Sequence, residues 1–120
     1  MQKINMVILE GNLTKDAEKK EINGKTLTVF TLASNYFYYV EGIEEAKKET
    51  YFLDVESWTA ADKLDKLTKG REVRVTGRLR IETWKTGSED KPEYHSRTKI
   101  VAHTVEIGYE PKAKADSDAE

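Results

Sequence analysis

The chain has 120 residues, 38% of them apolar and 35% charged, with a formal net charge of -2, which fits one small globular domain with one core. It contains no cysteine, and this excludes disulfide frameworks, thiolate zinc sites and cysteine nucleophiles. The first residues lack the apolar run of a signal peptide, and no stretch approaches the roughly 20 apolar residues that span a bilayer, so the expected home is a reducing cytoplasm, with neither export nor membrane.

Residues 4–9, Ile-Asn-Met-Val-Ile-Leu, are β-rich and mostly apolar, and Gly11-Asn12 ends the run; the pattern predicts a first strand buried on both faces. Asn23-Gly24 is a strong two-residue hairpin signal. Thr26 to Tyr39 (TLTVFTLASNYFYY) is dense in β-branched and aromatic residues and reads as a second strand long enough to curl around a barrel. Its partner runs from about Thr50 to Trp58, after a tip carrying Glu41, Glu44, Glu45 and Glu49.

From Thr59 to Lys69 the period changes. Ala61, Leu64 and Leu67 recur at three-residue steps, Thr59 suits an N-cap and Gly70 stands where a helix C-terminus favours it, so a helix is expected over 59–69. Arg71 to Trp84 and Glu93 to Ile107 then alternate as two further strands around a polar loop. Three strands, one helix and two strands is the order of the OB-fold: all-β, a five-stranded Greek-key barrel with one helix between the third and fourth strands, whose open face suits oligonucleotides or oligosaccharides. Residues 1–109 form this expected domain, and 110–120, with Asp116, Asp118 and Glu120, form a short flexible acidic tail.

The net charge conceals segregation. Lys69 to Lys85 holds six basic residues against Glu72 and Glu82, although a solvated surface carries such runs too. Because side chains alternate along a strand, Val73, Val75, Leu79 and Ile81 share one face, while Arg74, Thr76, Arg78, Arg80 and Trp84 share the other. In the third strand Leu53 and Val55 take the inward parity, leaving Phe52, Asp54, Glu56 and Trp58 outward. Stacking on aromatics beside arginines that meet phosphates is the mechanism of a sequence-tolerant single-strand platform; a bulge that flips parity would instead bury a tryptophan. Gly77, in mid-strand, is where such a bend is expected.

No metal or cofactor is expected. His95 and His103 have no neighbouring ligands at metal spacing, the serines lack a nucleophile-elbow context, and no phosphate-cradling glycine loop or acid-base carboxylate pair is present, so no enzyme is expected.

Val7-Ile-Leu-Glu-Gly-Asn-Leu-Thr-Lys-Asp16, Asn23-Gly24-Lys25, Phe30-Thr-Leu-Ala33, Tyr51-Phe-Leu-Asp-Val55, Lys69-Gly70, Val75-Thr-Gly-Arg-Leu79 and Ile100-Val-Ala102, in order, resemble the bacterial single-stranded DNA-binding protein family from about residue 4 to 108. The resemblance implies base stacking on Tyr38, Phe52, Trp58 and Trp84 and backbone contacts from Arg74, Arg78 and Arg80. It also implies single-stranded DNA as partner in replication, recombination and repair, a nucleoid-associated location, and a homotetramer with the first strand at subunit contacts. The family commonly ends in an acidic tip finishing Ile-Pro-Phe that recruits replication and repair proteins; this chain reads Asp116-Ser-Asp-Ala-Glu120, which puts that recruitment in question. Ser96-Arg97-Thr98 stands where the family often has a tyrosine and two threonines, which implies that a contact there is either lost or moved to Tyr94 or Arg97. Two alternatives stay open: a specialised paralogue that prefers RNA or serves a primosome, and a protein-interaction subunit whose aromatics form an interface.

Overall fold

The computed structural model describes residues 1–108, so the expected tail at 110–120 lies outside the described residues. Six strands form in chain order: β1 (Val7–Leu13), β2 (Glu18–Ile22), β3 (Lys25–Tyr38), β4 (Lys47–Ser57), β5 (Glu72–Gly87) and β6 (Pro92–Ile107), with a 3₁₀ helix, Ala61–Lys66, between β4 and β5. Asn23 and Gly24 both adopt positive φ, 51° and 79°, as the tight turn joining β2 to β3 requires. β2 itself, Glu-Lys-Lys-Glu-Ile, is exposed throughout. It flanks β3 as an extra strand that the hairpin signal announced without its extent, and its charges suit an edge.

The sheet order is β1-β5-β6-β4-β3-β2, and β1 also pairs with β3 through Asn12↔Ala33 and Leu13↔Leu32. Five strands therefore close into a barrel, with β4 and β6 parallel. Leu32, Val55, Val73, Val75 and Ile100 fill it, each at most 1% exposed, and Ala60 and Leu67 close one end. Closure forces backbones together: Ser34 donates its hydroxyl hydrogen to the Glu10 carbonyl at 2.7 Å, where β1 passes β3. No helix among the described residues is long and apolar enough to cross a membrane.

Three expectations need correction. The helix expected over 59–69 is a six-residue 3₁₀ segment. The three-residue recurrence of Ala61, Leu64 and Leu67 is the 3₁₀ period itself. Thr59 does not cap it; its hydroxyl donates to the His103 carbonyl at 3.2 Å. The Leu67 carbonyl accepts from the Ala17 N–H at 2.8 Å, so tertiary bonding ends the segment, and Gly70 turns the chain at φ 86°. The first strand runs 7–13 rather than 4–9, and Ile4, Met6 and Ile8 are exposed, because nothing among the described residues covers the outer side of β1. Where β1 has not yet begun, the Asn5 side-chain amide exchanges two hydrogen bonds of 2.9 Å with the Leu79 backbone, substituting for a strand partner.

The third correction concerns β5. Val73 and Val75 are buried as expected, but Leu79 and Ile81, of the same parity, are 38% and 62% exposed. β1 pairs with β5 only as far as Gly77, so Leu79, although beside buried Ile100, has lost that neighbour, and β4 reaches β6 only from Lys99 onward, so from Ile81 on β5 and β6 continue as a two-stranded hairpin. The ladder shifts register between Thr76 and Gly77, whose partners are Thr104 and Ala102, leaving His103 as the extra residue of a bulge on β6.

Gly77 lies at this crossing, where an added Cβ would stand 2.0 Å from the Val101 carbonyl oxygen and 2.7 Å from the Ala102 Cα. Both are backbone atoms of the adjoining strand, so a side chain there must part the ladder. Gly77→Ala is expected to cost about 1 to 3 kcal/mol, read as a lower urea midpoint at unchanged slope; an unaltered midpoint would show that the strands separate freely.

Candidate nucleic-acid interface

Pairing across the sheet sets one continuous row on the outer face. Thr31 of β3 lies opposite Asp54 of β4, Asp54 opposite Lys99 of β6, and Lys99 opposite Arg80 of β5. Beside it run Val29, Glu56, Val101 and Arg78 in the same register. Thr31, Asp54, Lys99 and Arg80, with Val29 and Glu56 beside them, floor an open groove walled on the β2 side by Lys15, Glu18 and Lys20 and including Trp58.

The charges of the floor are paired. Arg97 Nε is 3.3 Å from Asp54 Oδ2, and Thr31 donates its hydroxyl hydrogen to Asp54 Oδ1 at 2.9 Å. Lys99 Nζ lies 2.6 Å from Glu82 and 3.2 Å from Glu56, while Arg80 lies 3.6 Å from Glu56 and 3.7 Å from Glu82. Lys99 and Glu56 form the least solvated pair, with side chains 15% and 11% exposed, where an unpaired charge would be costly. Arg78 has no ion pair among the described residues.

The seven residues expected at a binding face divide. Phe52, Trp58 and Trp84 all stand on the groove side, 65%, 44% and 47% exposed, so neither tryptophan is turned into the core. Trp84 stacks on His95 with ring centroids 5.5 Å apart, and His95 in turn meets the Thr86 hydroxyl at 2.7 Å. Arg80 lines the groove and Arg78 lies one row along.

Tyr38 and Arg74 are not brought to this groove. Tyr38 has the parity of buried Phe30 and Leu32, which places it on the opposite side of the β3–β4 hairpin, stacked on Tyr36 at 6.2 Å. Arg74 is about 20 Å along β5 from Arg80 by strand rise and lies between two carboxylates, 2.8 Å from Glu10 and 3.9 Å from Glu106. Its hydrogen bond to Glu10, helped by the charges of both glutamates, raises the guanidinium pKa. Tyr94 likewise falls on the far side, with Lys85 Nζ 6.0 Å from its ring centre.

Two outward-facing residues, one of them in the groove, escaped the sequence reading. Phe37 has the outward parity of Thr31 and Ala33 and is 61% exposed on the side of Phe52; counting back from Leu32 locates it. Lys99 follows in the same way from buried Ile100.

The paired floor has a pH signature. The Glu82 carboxyl is held below the usual carboxylate range by the hydrogen bond from Lys99, then by the charges of Lys99, Arg80 and Arg97 against a desolvation that opposes them. Lys99 is held above the usual range by its hydrogen bond to Glu82 and next by Glu56, again against desolvation. A lowered carboxyl stabilises the fold above its unfolded pKa, about 4.3 for Glu, and that contribution is lost as pH falls through the folded value; the raised lysine contributes below its unfolded pKa and loses that contribution as pH rises through the folded one. Glu82→Gln should therefore lower the urea midpoint modestly at pH 7, and the gap from the unsubstituted chain should narrow progressively as pH falls below about 4.3. A gap that stayed constant with falling pH would show that the glutamate acts through packing instead.

Residues 4–107 match the model of the Single-strand binding protein family. The chain is 34% identical over 113 residues to the single-stranded DNA-binding protein of Caldanaerobacter subterraneus subsp. tengcongensis, covering 92% of this chain and 71% of that one. It is 32% identical over 97 residues to the protein of the same name from Helicobacter hepaticus, but spans only 56% of that protein's length. Among solved structures, a Plasmodium falciparum SSB complex with ssDNA superposes with a TM-score of 0.72 at 25% identity, over 89% of this chain and 96% of that one. The small single-stranded DNA-binding protein from Streptomyces coelicolor, at a TM-score of 0.69 and 22% identity over 89% and 95% of the two chains, shares the fold. With its family model matched across nearly all the described residues, the chain belongs to the single-strand binding protein family.

Proposed function

We propose that the chain binds single-stranded DNA with little sequence preference, its bases stacking on Phe52, Trp58 and Trp84 and its backbone meeting Arg78 and Arg80. The observation that carries this reading is the placement of three large exposed aromatics on one side of a closed barrel that also bears the arginines. Every base offers a π-face, so stacking holds a strand without reading it. Groups that do no more than stack and pair leave no step to catalyse, and the reading is of a binder. Phe37 extends the stacking surface toward the β3–β4 tip, whereas Tyr38, on the opposite side of that hairpin, and Arg74, held between Glu10 and Glu106 farther along β5, contribute less.

A protein of this kind coats single strands exposed in replication, recombination and repair, in the nucleoid of the cytoplasm. Exposed Ile4, Met6 and Ile8 beside β1 support assembly with further copies, which we take to be a homotetramer.

Titration of tryptophan fluorescence with oligo(dT) of increasing length is expected to show strong quenching, little of it with matched duplex. Trp58→Ala and Trp84→Ala should each weaken binding by about 1 to 3 kcal/mol. Absence of both quenching and binding would overturn the reading and turn attention to the aromatics as a protein interface.

A further inference from the structure

We propose that Asp54, Glu56 and Glu82 set the strength and salt dependence of the groove by occupying its cations, so that a nucleic-acid phosphate reaches Arg80 or Arg97 only by displacing a carboxylate. This rests on the single-strand reading above and adds to it the residues that limit affinity. Three cations and three carboxylates meet on the floor, with separations from 2.6 to 3.7 Å, so its local charge is close to zero where a strand must cross.

Exposure decides which cations exchange partners. Lys99, 15% exposed and bonded to both Glu56 and Glu82, is fixed as the hub. Arg80 and Arg97, with side chains 48% and 62% exposed, can swing from carboxylate to phosphate. Asp54 is the sole ion-pair partner of Arg97 among the described residues. Its other contact, from the Thr31 hydroxyl, survives as Asn because the amide oxygen still accepts. Asp54→Asn therefore removes charge with little change of shape, and Glu82→Gln does the same beside Arg80.

The consequence follows from counterion release. For a single strand, the logarithm of affinity falls with the logarithm of salt by about 0.7 per phosphate neutralised. A cation already neutralised by a carboxylate contributes little to that count. The groove is thus built to hold strands mainly by stacking and to keep its grip as salt rises.

The test is titration of the full chain with oligo(dT) between low and high salt, comparing Asp54→Asn, Glu82→Gln and, as an equal change of net charge outside the groove, Asp65→Asn. Asp54→Asn and Glu82→Gln should each tighten binding at low salt, by up to about fivefold given the strength of exposed ion pairs, and steepen the salt slope by about 0.7. Asp65→Asn should do neither. If the unsubstituted chain binds with tryptophan quenching but neither groove variant tightens binding or steepens its slope, the single-strand reading stands and this proposal falls. If Asp65→Asn matches them, the effect is one of net charge, and the proposal falls too. If the unsubstituted chain does not bind, both fall together.

Discussion

Closure of the sheet by β1 is the constraint on which the remaining geometry depends. By pairing with β5 on one side and β3 on the other, this seven-residue strand converts a twisted ribbon into a ring and gives Leu32, Val55 and Ile100 an enclosed interior. Closing so few strands brings backbones close at particular points. Gly11 is one: a Cβ there would lie 2.6 Å from the Ala33 carbonyl oxygen. Gly77 is another, at the register shift that lets β6 bend around the ring. Once the ring is closed, the parity of every strand crossing it is fixed, and with it the side on which Arg80, Glu56 and Lys99 must emerge.

Parity could be read from the sequence wherever a strand crosses the barrel. Leu53 and Val55 announced the inward face of β4, so Phe52 and Trp58 were placed correctly by counting, and Val73 and Val75 did the same for Arg80. The same rule loses its meaning where a hairpin outruns the core. Leu79 and Ile81 keep the inward alternation yet stay 38% and 62% exposed, because β1 no longer flanks β5 beyond Gly77 and β4 no longer flanks β6 before Lys99. Local pattern records which side a residue takes but carries no information on where the core stops; that depends on the length of β1 and β4, which are distant in sequence. Residues 59–69 show a related limit. Their apolar spacing is a true signal, but whether it becomes an α or a 3₁₀ turn was decided by bonds to Ala17 and His103 from other parts of the chain.

The charged floor was visible in composition and invisible in arrangement. The basic run from Lys69 to Lys85 reads as an attraction for phosphate, and the outward parity of Asp54 and Glu56 was apparent beside it. Only the β4–β6 pairing, between strands more than forty residues apart, brings Lys99 against Glu56 and Arg97 against Asp54. A basic segment in sequence thus becomes a nearly neutral surface in space. Clustering of like charge along a chain measures a potential only after the strands that lie beside it have been counted.

This neutrality bears on how stacking and charge share the work of holding a strand. Rows of unpaired cations attract phosphate from a distance but weaken steeply with salt. Aromatic platforms act only at contact, and they are insensitive to screening. Here Phe52, Trp58 and Trp84 flank a floor whose ion pairs are internal, while Arg78, one row along, remains without an ion-pair partner among the described residues. The arrangement separates the two contributions in space: the stacking side chains border the groove, and the carboxylates between them hold back the phosphate term. A strand laid across such a face gains most where its bases meet the rings, and the ladder beneath orients Arg80 and Arg97 without committing either of them to it.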